Sequence, residues 1–232
     1  MIRVLLVDDS ALMRRVLREL LEGSPDFQIV GEATNGLAGC EKNLELQPDL
    51  VVMDIDMPVM DGVTATARIM RERPVSILVF SAAAESPAGF AALEAGARDV
   101  LRKPDFDAIG DEAFRQTLYE RIRTIASAVP RQHPGSARPY MAGANAGAAL
   151  RAVVMGASTG GPVAVKRVLS SLPADFPLGI ALVQHLEDGF DEGYVRWLGE
   201  ECALRVLLAT ASTANGAFAP GTVTVAPVNR HL

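Results

Sequence analysis

Val4–Val7 and Leu50–Met53 are short runs without a polar residue, and each stops at an aspartate. A strand that is apolar at every position must be buried on both faces, which is the condition of a parallel sheet covered by helices. After the first run, Leu12, Met13, Val16, Leu17, Leu20 and Leu21 recur at helical spacing, with Arg14, Arg15, Arg18 and Glu19 between them. The same rhythm predicts strands at Gln28–Ala33, Leu50–Met53, Val75–Phe80 and Val100–Leu101. It predicts helices at Leu37–Leu46, Val63–Glu72 and Asp111–Ala128, with Phe90–Ala95 as part of another. Repeated β/α units of this kind specify an open, doubly wound parallel α/β sheet with right-handed crossovers.

The rhythm stops between Pro130 and Gly147, where Pro130, Pro134, Gly135, Pro139, Gly143 and Gly147 punctuate a Ser/Ala/Asn-rich stretch. That composition predicts a flexible linker over 129–150. The alternation then resumes, with strands at Ala152–Gly156, Gly179–Gln184, Arg205–Ala209 and Thr222–Ala226 and helices at Pro162–Leu172 and Asp191–Cys202. The expected organisation is a first domain over 1–128, the linker, and part of a second doubly wound α/β domain over 151–232.

The formal net charge of −6 argues against broad nucleic-acid binding, which needs a basic face. Arg14-Arg15 is too short for a nucleic-acid patch and reads as a solvated helix face. Met1–Val7 lacks the apolar segment and small-residue cleavage site of a signal peptide. No apolar run approaches the roughly 18 residues that span a bilayer, so a soluble, cytoplasmic protein without membrane insertion is expected. Cys40 and Cys202 have no metal or redox spacing and read as small apolar residues; His133 and His231 likewise have no metal-ligand spacing. Trp197, Tyr194 and Leu198 share a helix face and are expected in a core.

Ligands of open α/β sheets bind beyond the carboxyl ends of the strands. The residues at those ends are Asp8 and Asp9, Asp54, Ser81 and Lys103. Clustered carboxylates repel one another and resist desolvation unless a cation neutralises them, and Mg²⁺ suits such a donor set. Lys103 adds a point charge for a phosphoryl oxygen, and the Ser81 hydroxyl can hydrogen-bond another. Asp54, ending the central strand, is the natural nucleophile for phosphoryl transfer. Any one of these aspartates alone would read as a helix cap; the joint pattern over four strand ends does not.

Val7-Asp8-Asp9-Ser10, Met53 to Gly62 and Gly96 to Pro104 resemble the receiver domain of response regulators, the CheY-like family with a flavodoxin-like (βα)5 fold. The resemblance implies phosphorylation of Asp54 by a histidine kinase. It implies Mg²⁺ ligation by Asp9, Asp54 and the backbone carbonyl of Asp56, with Asp8 acting through water. It also implies phosphoryl binding by Ser81 and Lys103. The family usually carries Tyr or Phe where this chain has Val100, so the coupling of phosphorylation to output is expected to be weaker or to use another face.

In the second segment, Gly156-Ala157-Ser158-Thr159-Gly160-Gly161-Pro162 sets a serine in a strand-to-helix turn among small residues. The following helix offers backbone N–H groups to a developing oxyanion. His185 ends the next apolar strand, and adjacent parallel strands end at one sheet edge, so the histidine could activate the serine. Separately, a serine turn and a strand-end histidine are each ordinary structural features; together they favour acyl chemistry modestly.

With Val183-Gln184-His185, Gly189-Phe190, Pro220 to Pro227 and Arg230-His231-Leu232, residues 151–232 resemble the opening portion of the CheB-type methylesterase domain. The resemblance implies hydrolysis of glutamate methyl esters on methyl-accepting chemoreceptors and, often, deamidation of receptor glutamines. Ser158 would be the nucleophile, His185 the general base, and the Thr159 N–H an oxyanion donor. In the family an aspartate orienting the histidine lies beyond the position of Leu232, and Glu187, Asp188, Asp191 and Glu192 are only local to His185. Without that acid a serine–histidine pair loses about 10⁴-fold in turnover. The alternative reading is a receiver that acts as a phosphorylation-dependent binding or phosphate-sink module with an inactive output domain. A DNA-binding output is disfavoured by the absence of a basic recognition helix.

Overall fold

The computed structural model describes residues 1–82, 84–104, 110–127, 152–210 and 219–228. The expected linker, together with His133, Arg230, His231 and Leu232, lies outside the described residues. The chain divides into two compact units, each built on its own sheet.

The first unit runs β1 (Ile2–Val7), α1 (Ala11–Glu22), β2 (Phe27–Ala33), α2 (Gly36–Leu46), β3 (Leu50–Met53) and α3 (Gly62–Glu72). It continues with β4 (Ser76–Ser81), α4 (Pro87–Glu94), β5 (Asp99–Arg102) and α5 (Glu112–Ser127). The strands form one parallel sheet in the order β2-β1-β3-β4-β5, so β3 is central. Predicted boundaries hold to within one or two residues for most elements, while α4 starts three residues earlier than its apolar stretch, at Pro87. Proline is favoured in a first helical turn, where its missing N–H would have no partner, and Ser86 caps that helix by accepting from the Ala88 N–H.

Side chains alternate across a strand, and both faces here are covered. Val4, Leu6, Leu50, Val52, Leu78 and Phe80 pack against Met13, Leu17 and Leu21 of α1 and Leu118 and Ile122 of α5. The intervening Leu5, Val7, Val51, Met53, Ile77 and Val79 are equally buried. This is why the strands carry no polar alternation. The helices begin at residues able to satisfy their first N–H groups: Ser10 accepts from Met13, Asn35 from Ala38 and Asp61 from Thr64.

The second sheet and its connecting helices comprise β6 (Ala152–Ala157), α6 (Gly161–Ser170), β7 (Gly179–Gln184), α7 (Asp191–Gly199), β8 (Arg205–Leu208) and β9 (Thr222–Val225). This sheet is also parallel, ordered β6-β7-β9-β8. Tyr194, Trp197 and Leu198 are buried as expected, with the two rings stacked 5.9 Å apart and the Lys166 ammonium 4.4 Å from the indole centroid. Cys40 is buried and Cys202 half-buried, both with free thiols.

Leu78 is fully buried in β4 between sheet neighbours and helix. Leu78→Ala is expected to lower the stability of the first unit by about 2–5 kcal/mol, read from the urea midpoint followed by far-UV circular dichroism.

Candidate functional site

Each strand of a parallel sheet delivers the residue after its last apolar position to the same edge. β1 and β3 pair in register, Val7 opposite Met53, and the Asp54 N–H donates to the Val7 carbonyl at 2.8 Å. Asp8, Asp9 and Asp54 therefore converge, with one oxygen from each lying within 4.8 Å of the others. Asp8 and Asp54 are buried, whereas Asp9 is exposed. A hard cation fits this donor set, since three oxygens of this spacing can be drawn onto one ion and the exposed side leaves room for water and phosphate.

Lys103 completes the pocket. β5 brings it beside β4, where its N–H donates to the Ser81 carbonyl at 3.1 Å. Its ammonium lies 2.7 Å from both Asp54 Oδ2 and Asp8 Oδ2. The other Asp8 oxygen accepts from the Ser10 N–H at 2.8 Å, and the other Asp54 oxygen accepts from the Ile55 N–H at 2.8 Å. Burial pushes the Asp8 carboxyl above its ordinary value, and the Lys103 hydrogen bond and charge only partly offset this. Burial works against the Lys103 ammonium too, but its hydrogen bonds to Asp54 and Asp8 outweigh that and hold its pKa above the ordinary lysine value.

Ser81 is the last residue of β4 and is buried at the same edge. The Asp56 side chain is exposed and lies outside the group of three acids. Val100 is buried within β5, opposite Val79, so no aromatic ring occupies the position where receivers usually carry one.

The loop after Asp54 is closed by Gly62, whose N–H donates to the Ile55 carbonyl at 2.8 Å. A Cβ at Gly62 would come within 1.9 Å of the Asp54 carbonyl oxygen, so only glycine lets the loop fold back this far. Val59, at the exposed tip, has φ +69°, a left-handed conformation that costs a β-branched residue about 1–3 kcal/mol.

In the second unit, Ala157 pairs with Gln184, and the His185 N–H donates to the Ala157 carbonyl at 2.9 Å. Ser158 follows β6 and His185 follows β7 at one edge of the sheet, and both are exposed. Thr159 and Gly160 (φ +75°) turn the chain into α6, and the Gly161 N–H donates to the Ser158 carbonyl at 2.7 Å. Gly160 thus supplies the positive φ of this turn, two residues after the serine.

Arg14 departs from the solvated face expected for the Arg14-Arg15 pair. Arg15 is exposed beside Glu19, but the Arg14 side chain is only 13% exposed and turns inward onto the β1–α1 turn. The sequence signal for this is its position four residues from the helix cap Ser10, on the face that looks back at the strand end.

Two family models match the chain: the response regulator receiver domain over residues 4–113, and the CheB methylesterase over residues 153–232. The receiver family generally binds Mg²⁺ for phosphorylation. A protein-glutamate methylesterase/protein-glutamine glutaminase of Anaeromyxobacter dehalogenans is 41% identical, covering all of this chain and 67% of that protein. A namesake from Geobacter sulfurreducens is 37% identical, again covering 100% of this chain and 67% of the relative. The solved response regulator domain of Thermotoga maritima CheB is 38% identical with a TM-score of 0.52, covering 56% of this chain and 99% of that domain.

The raised Asp8 pKa fixes the sign of one pH effect. The folded protein holds the Asp8 proton to higher pH than the unfolded chain, whose carboxyl titrates near 3.8. Stability from this group is therefore full below that value and is lost as pH rises through the folded pKa. Asp8→Asn is expected to raise the thermal midpoint near neutral pH in chelator-treated buffer, and the difference from wild type should shrink as pH falls into the carboxylate range. Scanning calorimetry across that interval checks it; a lowered midpoint at neutral pH would contradict it.

Proposed function

The chain belongs to the CheB methylesterase family of response regulators, and from that premise we propose that it is a phosphorylation-controlled hydrolase of glutamate methyl esters on chemoreceptors, also acting on receptor glutamines. In this reading residues 1–128 are the receiver, 129–150 the linker and 151–232 methylesterase sequence. A chemosensory histidine kinase is the phosphodonor and the chemoreceptors are the substrates, in the cytoplasm. Among the described residues no helix is long and apolar enough to cross a membrane. The single observation that carries the regulatory half is the acidic pocket bridged by Lys103 at 2.7 Å from two of its members.

Asp9, Asp54 and the Asp56 backbone carbonyl would hold Mg²⁺, with Asp8 reaching it through water; the bound ion neutralises the pocket and gives the phosphoryl oxygens a docking point. One Asp54 oxygen attacks phosphorus in line, forming the acyl phosphate as the bond to the donor breaks. Lys103 then exchanges its carboxylate partners for a phosphoryl oxygen, and the Ser81 hydroxyl donates to another. That exchange breaks the Lys103 link to Asp54, and so couples the chemistry to β5 and β4. With Val100 in place of a ring, the coupling of phosphorylation to output is weaker or uses another face.

In the methylesterase sequence, His185 takes the proton of Ser158 as Oγ attacks the ester carbonyl, and the Thr159 N–H stabilises the oxyanion. Collapse expels methanol and leaves an acyl-serine, which water hydrolyses to the glutamate. With a glutamine substrate the leaving group is ammonia. The support for this pair is the register of β6 and β7, which ends both strands at one edge.

Two outcomes check the two halves. Incubation with Mg²⁺ and acetyl phosphate should add one phosphoryl group to the wild-type chain and none to Asp54→Asn, measured by intact mass; equal labelling removes Asp54 as acceptor. Methanol release from methylated receptor should fall to the enzyme-free rate in Ser158→Ala, and unchanged release would sink the serine mechanism.

A further inference from the structure

The β1–α1 turn carries two of the three pocket acids, and its backbone is gripped by one side chain. Arg14 Nη1 donates to the Asp8 carbonyl at 2.7 Å and to the Asp9 carbonyl at 3.1 Å. We propose that Arg14 is a positioning residue of the divalent-cation site, fixing the peptide planes of Asp8 and Asp9 so that their carboxylates meet Asp54. The inference rests on reading this pocket as the Mg²⁺-dependent phosphoacceptor site.

Three observations separate this arrangement from an ordinary surface arginine. First, the guanidinium is itself held: its Nε donates to Glu32 Oε2 at 3.1 Å, from the end of β2 beside the same sheet edge. Glu32 is pinned in turn by Arg18, whose Nε and Nη2 donate to Glu32 Oε1 at 2.9 and 2.7 Å. Lys42 of α2 donates to the Glu32 backbone carbonyl. Although burial disfavours the Glu32 carboxylate, the hydrogen bonds from Arg18 and Arg14 prevail and keep it ionised below its ordinary pKa.

Second, the two carbonyls belong to consecutive residues. One donor shared between them fixes the two peptide planes that flank the Asp9 Cα, and with them the direction of its Cα–Cβ bond, while one of those planes also carries the Asp8 carbonyl. The Asp8 carboxylate has further anchors in Lys103 and the Ser10 N–H. Asp9 is exposed, so its aim depends on the backbone that Arg14 holds. Third, the neighbouring Arg15, 77% exposed, makes only the helix-surface pair with Glu19 among the described residues. Two adjacent arginines therefore divide into one that packs on the turn and one that faces solvent.

The fork geometry matters, because a guanidinium bonds the two carbonyls through Nη1 and Glu32 through Nε at once. A lysine ammonium can retain the charge and one or two of those bonds, but not the fixed plane. Outer-sphere residues that orient metal ligands typically change metal affinity by 10–100-fold when removed.

The test is isothermal titration of the full chain with Mg²⁺, paired with thermal melting in chelator. Arg14→Ala should weaken Mg²⁺ binding about 10-fold, Arg14→Lys should fall between it and wild type, and Arg15→Ala should bind as wild type does. An arginine that merely supports the fold would lower the chelated melting temperature and leave the Mg²⁺ affinity of the folded protein unchanged. That result in Arg14→Ala overturns the proposal. Should Arg14→Ala fail to fold, Arg14→Lys and Glu32→Gln decide it: both must weaken Mg²⁺ binding, and wild-type affinity in either overturns it. A wild-type chain that binds no Mg²⁺ overturns the phosphoacceptor reading itself, and this inference with it.

Discussion

Three carboxylates within 4.8 Å of one another, two of them buried, cannot coexist without positive charge, and the Lys103 ammonium supplies it from the neighbouring strand. Everything else in the first unit follows from keeping that arrangement in place. The sheet must be parallel so that β1, β3, β4 and β5 deliver their last residues to one edge. Both faces must be covered so that the edge has a low-dielectric floor. The loops must be short enough that Asp8, Asp9 and Asp54 have little freedom to move apart.

The pocket is consequently held in tension. Burial raises the Asp8 pKa even with Lys103 against it. Both buried acids of the pocket share the same lysine. The Gly62 turn and the strained Val59 tip belong to the same economy of space: the loop after Asp54 folds back onto its own backbone, at a distance that admits no side chain. Around it, the Arg14–Glu32–Arg18 network ties α1 and β2 to the turn bearing the acids.

The second unit repeats the same geometric device for different chemistry. A parallel pair of strands, β6 and β7, ends in a serine turn and a histidine, and no acidic cluster is needed there. The chain thus uses one rule, that parallel strands finish together, to gather three acids and a lysine at the edge of one sheet and a serine and a histidine at the edge of the other.

The order of elements, the parallel sheet and the acids at its carboxyl edge were legible because each rests on local information: an apolar run long enough for one strand, and a polar residue where it stops. The start of helix α4 is not legible in the sequence, because Pro87 and Ala88 carry no periodic signal and the Ser86 cap decides it. The spacing of Asp8, Asp9 and Asp54 was implied by topology, but the bridging of Asp8 and Asp54 by one lysine depends on how β5 pairs with β4, which is a matter of register. Arg14 was misread for the same kind of reason. Helical periodicity gives its angle about α1 but says nothing of what α1 leans against, and only the packing of α1 beside β2 brings Glu32 within reach. What the sequence determined alone was which groups stand at which strand ends; the tertiary structure decided which of them touch, because contact between distant residues depends on packing that no local pattern encodes.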